Sequence, residues 1–557
     1  MSAWPRRCAV LALAALGLAA AAAEPRRIAL LVGVSNYANV EASLDGPVND
    51  VAAMRSVLER RWRFKSADIH TLLDKQATRE AILAELRSLQ QRSAAGDEVL
   101  IYFSGHGASA FSGQAGPPVP HGSGAFVAYD YRDDTPDASQ GLIVGRTDLR
   151  PLITALDSGG RRLWVISDSC YSGQQVRNLK ARGAEPLPTR LIPAPRSRLV
   201  SEVSRATDAD LATERYPYAR TAYLAAAAEG EAARDISSRH LVAFPTFDGK
   251  PHGALTDALL RVLEGQLPAD VDGDGLLSLN EVHRAVSEFM AQRAYGHTPQ
   301  RLPSVADDVN ALGARSVLSV VGAVAARRDA PTGPLRVGAE GLPESLRKRI
   351  AGLPDVLLVA PGTPIDIALR ADRSAIAFES AGGDTIAVLP LGGTDAVVGQ
   401  LRQLAWARRI HVLSLARSRA VLPFEVTPAV FGGNFTIGSR VSFVVRPDRE
   451  ATLLLVEVDA SGFVSVLYPF RPAELQKLPA ARTQYVPRLP EKIEVQAPEG
   501  MDMLFAWAFD DMPAGLERLI GVTRVDAADP RLAGLERLLQ TGRFAYARTE
   551  LRTFAAR

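Results

Sequence analysis

Three apolar runs constrain the fold of this chain more than any other feature. RIALLVGVSNY (27–37), DEVLIYFSGHG (97–107) and RRLWVISDSC (161–170) are each apolar without alternation, and each stops in a polar or Gly-rich turn. A strand that is apolar on both faces must be covered on both, which points to a parallel sheet wrapped by helices. The segments between the runs supply the cover. DVAAMRSVLERRW (50–62) has helical spacing, Thr78 opens a helix to about Gln91, and further helices are expected near 147–156, over 253–266 and over 277–294. ADIHTLLD (67–74), GAFVAYD (124–130) and the start of 221–235 read as additional strands. The expectation is an α/β domain over residues 24–313, a mostly parallel sheet flanked by helices, with its functional groups at the carboxyl ends of the strands.

At 557 residues the chain exceeds what one hydrophobic core usually serves. A small α/β region is expected at 330–417. Alternating runs such as FTIGSRVSFVV, ATLLLVEVD and GFVSVLYPF predict a β-sandwich-like domain over 420–515, with a helical tail at 516–557. The 64 Lys and Arg residues nearly balance the 62 Asp and Glu residues, so charge gives no argument for a nucleic-acid or membrane-surface partner. No P-loop or G-x-G-x-x-G follows a strand, which argues against a nucleotide-binding protein.

The amino terminus reads as an export signal. Arg6 and Arg7 precede the apolar run from Cys8 to Ala23, and Ala21 and Ala23 form a small-x-small site before Glu24. Cleavage after Ala23 would send the chain to the periplasm or the medium, with no membrane span left. The chain has two cysteines, Cys8 and Cys170, so removal of 1–23 leaves one. An unpaired thiol in an exported protein points to a reactive role, the alternative being a buried cysteine acting as a small hydrophobe.

The surroundings of Cys170 decide between these. His106 and Cys170 each follow a strong strand, so both are expected on the same rim of the sheet. A thiol attacks a carbonyl as thiolate, and a neighbouring imidazole supplies that form by taking its proton. Gly107 has no side chain to keep a tetrahedral oxyanion from its backbone N–H, with the Cys170 N–H as second donor. SGHG after one strand, DSCYSG after a later one, the opening GVSNY, LDGPVNDV (44–51) and HGALT (252–256) occur together in this order. In these motifs the chain resembles the caspase-like cysteine peptidases, and metacaspases more than animal caspases, which carry a QACRG-type sequence at the cysteine. The resemblance covers about residues 27–310. It implies a caspase-like fold and hydrolysis of peptide bonds by a Cys-His dyad that needs no cofactor for the chemistry. It also implies that Asp50 and Asp168 form an acidic pocket for an Arg or Lys before the scissile bond of a polypeptide substrate; two carboxylates hold a guanidinium by charge-assisted hydrogen bonds. Helix-start and turn roles are the alternatives for these two residues.

A second motif is independent of the dyad. ADVDGDGLLSLNE fits an EF-hand loop: Asp270, Asp272 and Asp274 at positions 1, 3 and 5, Gly275 at the turn, the Leu276 carbonyl at 7, Ser278 at 9 and Glu281 at 12. The expected ligand is Ca2+, the alternative a solvated acidic turn. Metacaspases that require calcium use a different aspartate cluster, to which Asp130, Asp133 and Asp134 are the candidates here. Residues 176–220 read as a mobile loop, and its basic stretch between Arg177 and Arg198 offers sites for self-processing. The C-terminal half resembles a domain of unknown function that follows bacterial caspase-like peptidases. It is expected to bind an envelope protein partner. The competing assignment for the whole chain is a catalytically silent caspase-fold scaffold in the cell envelope.

Overall fold

The computed structural model describes residues 25–38, 43–109, 124–132, 141–169, 187–189, 191–192, 216–227, 231–293, 295, 297–319, 333–360, 363, 365–380, 385–427 and 434–555. Cys170, Asp133, Asp134, the segment 1–23 and most of 176–220 lie outside them. Among the described residues no helix is long and apolar enough to cross a membrane.

The amino-terminal domain opens with β1 (Arg27–Gly33), α1 (Pro47–Arg61), β2 (Ile69–Leu73), α2 (Arg79–Arg92) and β3 (Glu98–Ser104). Three short strands follow, β4 (Gly107–Ser109), β5 (Gly124–Val127) and β6 (Leu142–Val144), then α3 (Arg150–Ser158) and β7 (Arg162–Asp168). Next come β8 (Leu191–Ile192), β9 (Thr221–Ala225), β10 (Asp235–Ile236), β11 (His252–Gly253) and α4 (Ala254–Leu263). The domain ends with β12 (Leu276–Ser278), α5 (Leu279–Arg293), β13 (Gln300–Leu302) and β14 (Ser316–Ser319).

The main sheet runs β13-β9-β7-β3-β1-β2, parallel throughout except for β13. Alternate residues of its strands feed two cores. Leu31, Tyr102 and Ile166 pack against α1, α4 and α5, while Leu30, Ile101 and Val165 pack against α2 and α3. This explains the unbroken apolar runs, since neither face of the pleat meets water. Gly33 ends β1 where α1 crosses it. A Cβ there would lie 2.7 Å from the Pro47 carbonyl oxygen, so glycine permits the approach that sets Asp50 against the strand ends.

The second half is one body rather than a small α/β region beside a separate sandwich. β15 (Leu335–Glu340), α6 (Glu344–Ala351), β16 (Val356–Leu358), β17 (Ile367–Ala371), β18 (Ala375–Ser380), β19 (Thr385–Pro390) and α7 (Thr394–Arg417) form a five-stranded sheet with two helices. Their core is continuous with one face of a seven-stranded sheet, through Leu454, Val456, Phe505, Trp507, Phe544 and Tyr546. The other face of that sheet, through Leu453, Leu455, Leu504 and Ala506, packs on Val441, Phe443 and Val445 of a four-stranded sheet. The sandwich is therefore present, and its larger sheet is buried twice.

The expected helical tail is also corrected. After α8 (Pro530–Thr541), residues Phe544–Phe554 form an 11-residue strand paired with Gly500–Phe509 inside the large sheet. Gly542 ends the helix, and alternate side chains of the strand then serve the two cores, Phe544 and Tyr546 one and Ala545 and Leu551 the other. The expected helix at 277–294 starts at Leu279 because Leu276–Ser278 pairs with Ser316–Ser319. The two halves meet through polar groups: the Glu425 carboxylate accepts from the Val305 N–H at 2.7 Å, and Arg446 donates to the Asp308 carbonyl.

Candidate active site

β3 and β7 lie side by side in register, with Ser104 opposite Asp168. His106 follows Ser104 by two residues, as Cys170 follows Asp168. The structure places His106 in the turn between β3 and β4, almost wholly buried at 4% exposure. Its backbone N–H donates to the Tyr37 hydroxyl at 2.6 Å, and the two rings lie 5.0 Å apart. Gly105 is needed here, since a Cβ would come within 2.7 Å of that hydroxyl. The His106 carbonyl accepts from the Val127 N–H at 3.0 Å. Tyr37 at the end of the first apolar run and β5 thus fix the turn, and Gly107 opens β4 directly after the imidazole.

The two aspartates come together on the same rim and are both fully buried. Asp50, in the first turn of α1, accepts from Ser104 Oγ at 2.6 Å, from the Gly253 N–H at 3.1 Å and from His252 Nδ1 at 2.8 Å. Asp168 Oδ2 accepts from the Thr256 N–H at 2.9 Å and from Thr256 Oγ1 at 2.6 Å, and Thr256 Oγ1 also lies 2.6 Å from the Tyr102 hydroxyl. The start of α4 therefore supplies N–H groups to both carboxylates, where the helix dipole favours negative charge. Behind Asp50, His252 is fully buried, and its Nε2 lies 2.9 Å from Asp248 Oδ1. Burial disfavours the imidazolium, but hydrogen bonds and charge from Asp50 and then Asp248 outweigh it and raise the His252 pKa.

His106, Gly107, Asp50 and Asp168 lie on one rim; Ser104 is expected from the sequence in the turn before His106, while Tyr37, His252 and Thr256, which contact these residues, and Asp248, which contacts His252, are not singled out by it. His252 and Thr256 stand in the HGALT motif, which carried the only signal for them.

The acidic loop is elsewhere on the domain. Asp270, Asp272 and Asp274 bring carboxylate oxygens within 4.8 Å of one another. Each also turns the loop: Asp270 accepts from the Gly273 and Gly275 N–H groups, Asp272 from Asp274, and Asp274 from Leu276. Glu281, in the first turn of α5, accepts from the N–H groups of Val271 at 2.8 Å and Ser278 at 3.0 Å and from Ser278 Oγ at 2.8 Å. Burial, then repulsion from Asp274 and Asp270, raises the Asp272 pKa. Three converging carboxylates are a donor set that fits a hard cation. Asp130 instead accepts from the Arg79 N–H at 2.9 Å and caps α2.

The family model of the caspase domain matches residues 26–309, and the chain belongs to that family. It is similar to metacaspases: 31% identical over 177 residues to metacaspase-9 of Arabidopsis thaliana, covering 30% of this chain and 50% of that protein. It is 29% identical over 271 residues to metacaspase-1B of Aspergillus oryzae, covering 43% and 61% respectively. The chain thus spans about half the length of these curated relatives. A domain of unknown function, DUF4384, matches residues 434–509, within the sandwich.

Proposed function

We propose that this chain is a cysteine endopeptidase that cleaves after Arg or Lys through His106 and Cys170. The observation that carries the reading is the gathering, at the carboxyl ends of β3 and β7, of a buried imidazole and two buried carboxylates, with Cys170 next in sequence to Ser169. His106 takes the thiol proton, the thiolate attacks the carbonyl carbon, and the oxyanion is met by the N–H groups of Gly107 and Cys170. The C–N bond breaks as His106 returns the proton to the leaving amine. Water then hydrolyses the thioester with His106 as base, releasing the acid and restoring the thiol. Asp50 and Asp168 supply the negative charge for the basic side chain of the substrate.

Four further parts belong to the reading. Ca2+ is the cation of the loop, held by Asp270, Asp272, Asp274, the Leu276 carbonyl, Ser278 and Glu281, and it stabilises the β12–α5 junction without entering the chemistry. The chain is exported, and the C-terminal half binds an envelope protein. Cleavage between Arg177 and Arg198 is self-processing.

The test is turnover of arginyl and aspartyl peptide amides. Cys170→Ala and His106→Ala should each abolish arginyl hydrolysis while leaving the melting temperature of the fold in place. Normal turnover by either variant refutes the dyad, and efficient aspartyl cleavage by the wild type refutes the acidic pocket. Incubating wild type and Cys170→Ala in parallel reads self-processing: cuts in 177–198 should appear only in the wild type.

A further inference from the structure

His252 faces a carboxylate from each ring nitrogen. Nδ1 is 2.8 Å from Asp50 Oδ1, and Nε2 is 2.9 Å from Asp248 Oδ1. A neutral imidazole has one N–H and can donate to one of them only, leaving a lone pair against the other. Two ionised carboxylates in these positions require the imidazolium. The ring cannot turn away, because it is fully buried, Phe247 lies 5.2 Å from it, and its backbone is paired in β11 with Ile236 of β10. The charged groups that face it are acidic: Asp50 from α1, Asp248 from the preceding loop, Asp257 from α4 and Asp235 at the neighbouring position of β10. Asp257 is engaged by Arg261 at 3.0 Å, and Asp235 accepts from the Asp45 N–H at 3.1 Å. Asp248 alone of the two His252 partners reaches solvent, with its side chain 25% exposed against 0% for Asp50.

We propose that His252 is a positioning residue for recognition of a basic side chain: it fixes the Asp50 carboxylate and, through its own proton, sets how much negative charge Asp50 presents beside Asp168. The proposal rests on the reading of Asp50 and Asp168 as the acidic pair. With His252 charged, Asp50 is compensated from behind and Asp168 carries most of the attraction. When the Nε2 proton leaves, Asp248 Oδ1 keeps the Lys250 N–H at 3.0 Å and its exposed side takes water, Nδ1–H still holds Asp50, and one positive charge is gone from the base of the site. The affinity for Arg or Lys then rises with pH while the geometry stays. The sequence separates these groups by about 200 positions, and only the arrival of β11 beside α1 joins them.

The test compares arginyl substrates with citrullyl ones, which keep the shape and lose the charge. KM and kcat are measured on the full chain between about pH 5 and 9, the window that brackets an imidazole. Titration of the dyad acts on both substrates, so the ratio of their KM values isolates recognition. For wild type, the ratio of arginyl to citrullyl KM should fall on the order of tenfold as pH rises through the His252 transition, the effect of one unit charge a side-chain length away at moderate dielectric. His252→Asn keeps an N–H toward Asp50 without charge and should show a low arginyl KM at all pH, with no inflection. Asp248→Asn should move the inflection to lower pH. An inflection of the KM ratio that is unchanged in His252→Asn overturns the proposal. Arginyl preference with no inflection in wild type overturns it and leaves the acidic pair standing, whereas no arginyl preference removes both. Should His252→Asn fail to fold, ring-nitrogen NMR of Cys170→Ala protein reads the charge directly: an imidazolium that titrates within the range supports the proposal, and a neutral His252 throughout overturns it.

Discussion

The rim of the caspase sheet and the loop from Asp270 to Glu281 both concentrate carboxylates, yet they hold them in opposite ways. On the rim, Asp50 and Asp168 are buried and surrounded by donors fixed by distant parts of the chain: Ser104, His252, Gly253 and Thr256. In the loop, the donors are the loop's own N–H groups, and Asp272 and Asp274 are exposed. The rim holds the buried His252 imidazole between two carboxylates, which raise its pKa. The loop turns Asp272 and Asp274 to solvent, and the Arg284 guanidinium next to it is bound to the Pro268 and Ala269 carbonyls rather than between the carboxylates. Removing a carboxylate should therefore harm the rim and relieve the loop, and this difference in sign separates a built acidic site from one that waits for an ion.

The largest expected effect is on the rim. Asp50→Ala leaves the Gly253 N–H, Ser104 Oγ and one face of His252 without their acceptor in a fully buried place. Breaking a buried pair from one side costs about 3–5 kcal/mol, so chemical denaturation should show a loss of that order. A loss under about 1 kcal/mol would mean that water reaches the site and that Asp50 is held no more firmly than a surface residue.

Calcium should give the next effect, confined to the loop. At tenfold excess over Kd the ion should stabilise the domain by about 1.4 kcal/mol, and if the chain is exported as proposed the expected Kd is in the ~10⁻⁴–10⁻³ M range of extracellular modules. Asp270→Ala combined with Glu281→Ala should abolish the calcium-dependent rise in melting temperature and leave the Asp50 site unaffected. If the double variant still responds, the ion binds elsewhere.

The pH dependence separates the regions again. His252 has a raised folded pKa, so its contribution to stability is fully present below about pH 6.5, its unfolded value, and is lost as pH rises through the folded pKa. Denaturation of His252→Asn should lack this slope between neutral and mildly alkaline pH. Equal slopes in both proteins would show that His252 is not charged in the folded state.

What the sequence made legible follows the range of the forces involved. β1, β3 and β7 are local statements, since an unbroken apolar run needs cover on both faces wherever it lies. The same runs place His106 at a strand end, and the loop spacing places Asp270, Asp272 and Asp274 within one turn. Asp50 and Asp168 are legible through motifs; of their partners, His252 and Thr256 stand in the HGALT motif, but nothing local assigns them a role. His252 sits on a two-residue strand with no periodicity of its own, and its role exists only because α1 passes beside it. The terminal strand is hidden for a different reason. Arg548, Glu550 and Arg552 interrupt its apolar alternation, and RLAGLERLLQT just before it has strong helical spacing. Gly542 marks the change.

The smallest expected effect is the one that tests the sign. Asp272→Asn removes one of three like charges and keeps an oxygen to accept from the Asp274 N–H, a hydrogen bond of 3.2 Å. In a chelating buffer at low salt, the variant should be as stable as wild type or more stable by up to ~0.5 kcal/mol, the usual bound for an exposed position. The gain should shrink as salt screens the repulsion. Adding calcium should reverse the order, because the wild type gains an ion that the variant, one ligand charge short, holds more weakly. A crossing of the two stabilities with calcium concentration is the signature of an ion-binding loop. Two parallel curves would identify a solvated acidic turn, whose carboxylates do no more than close the backbone between α4 and α5.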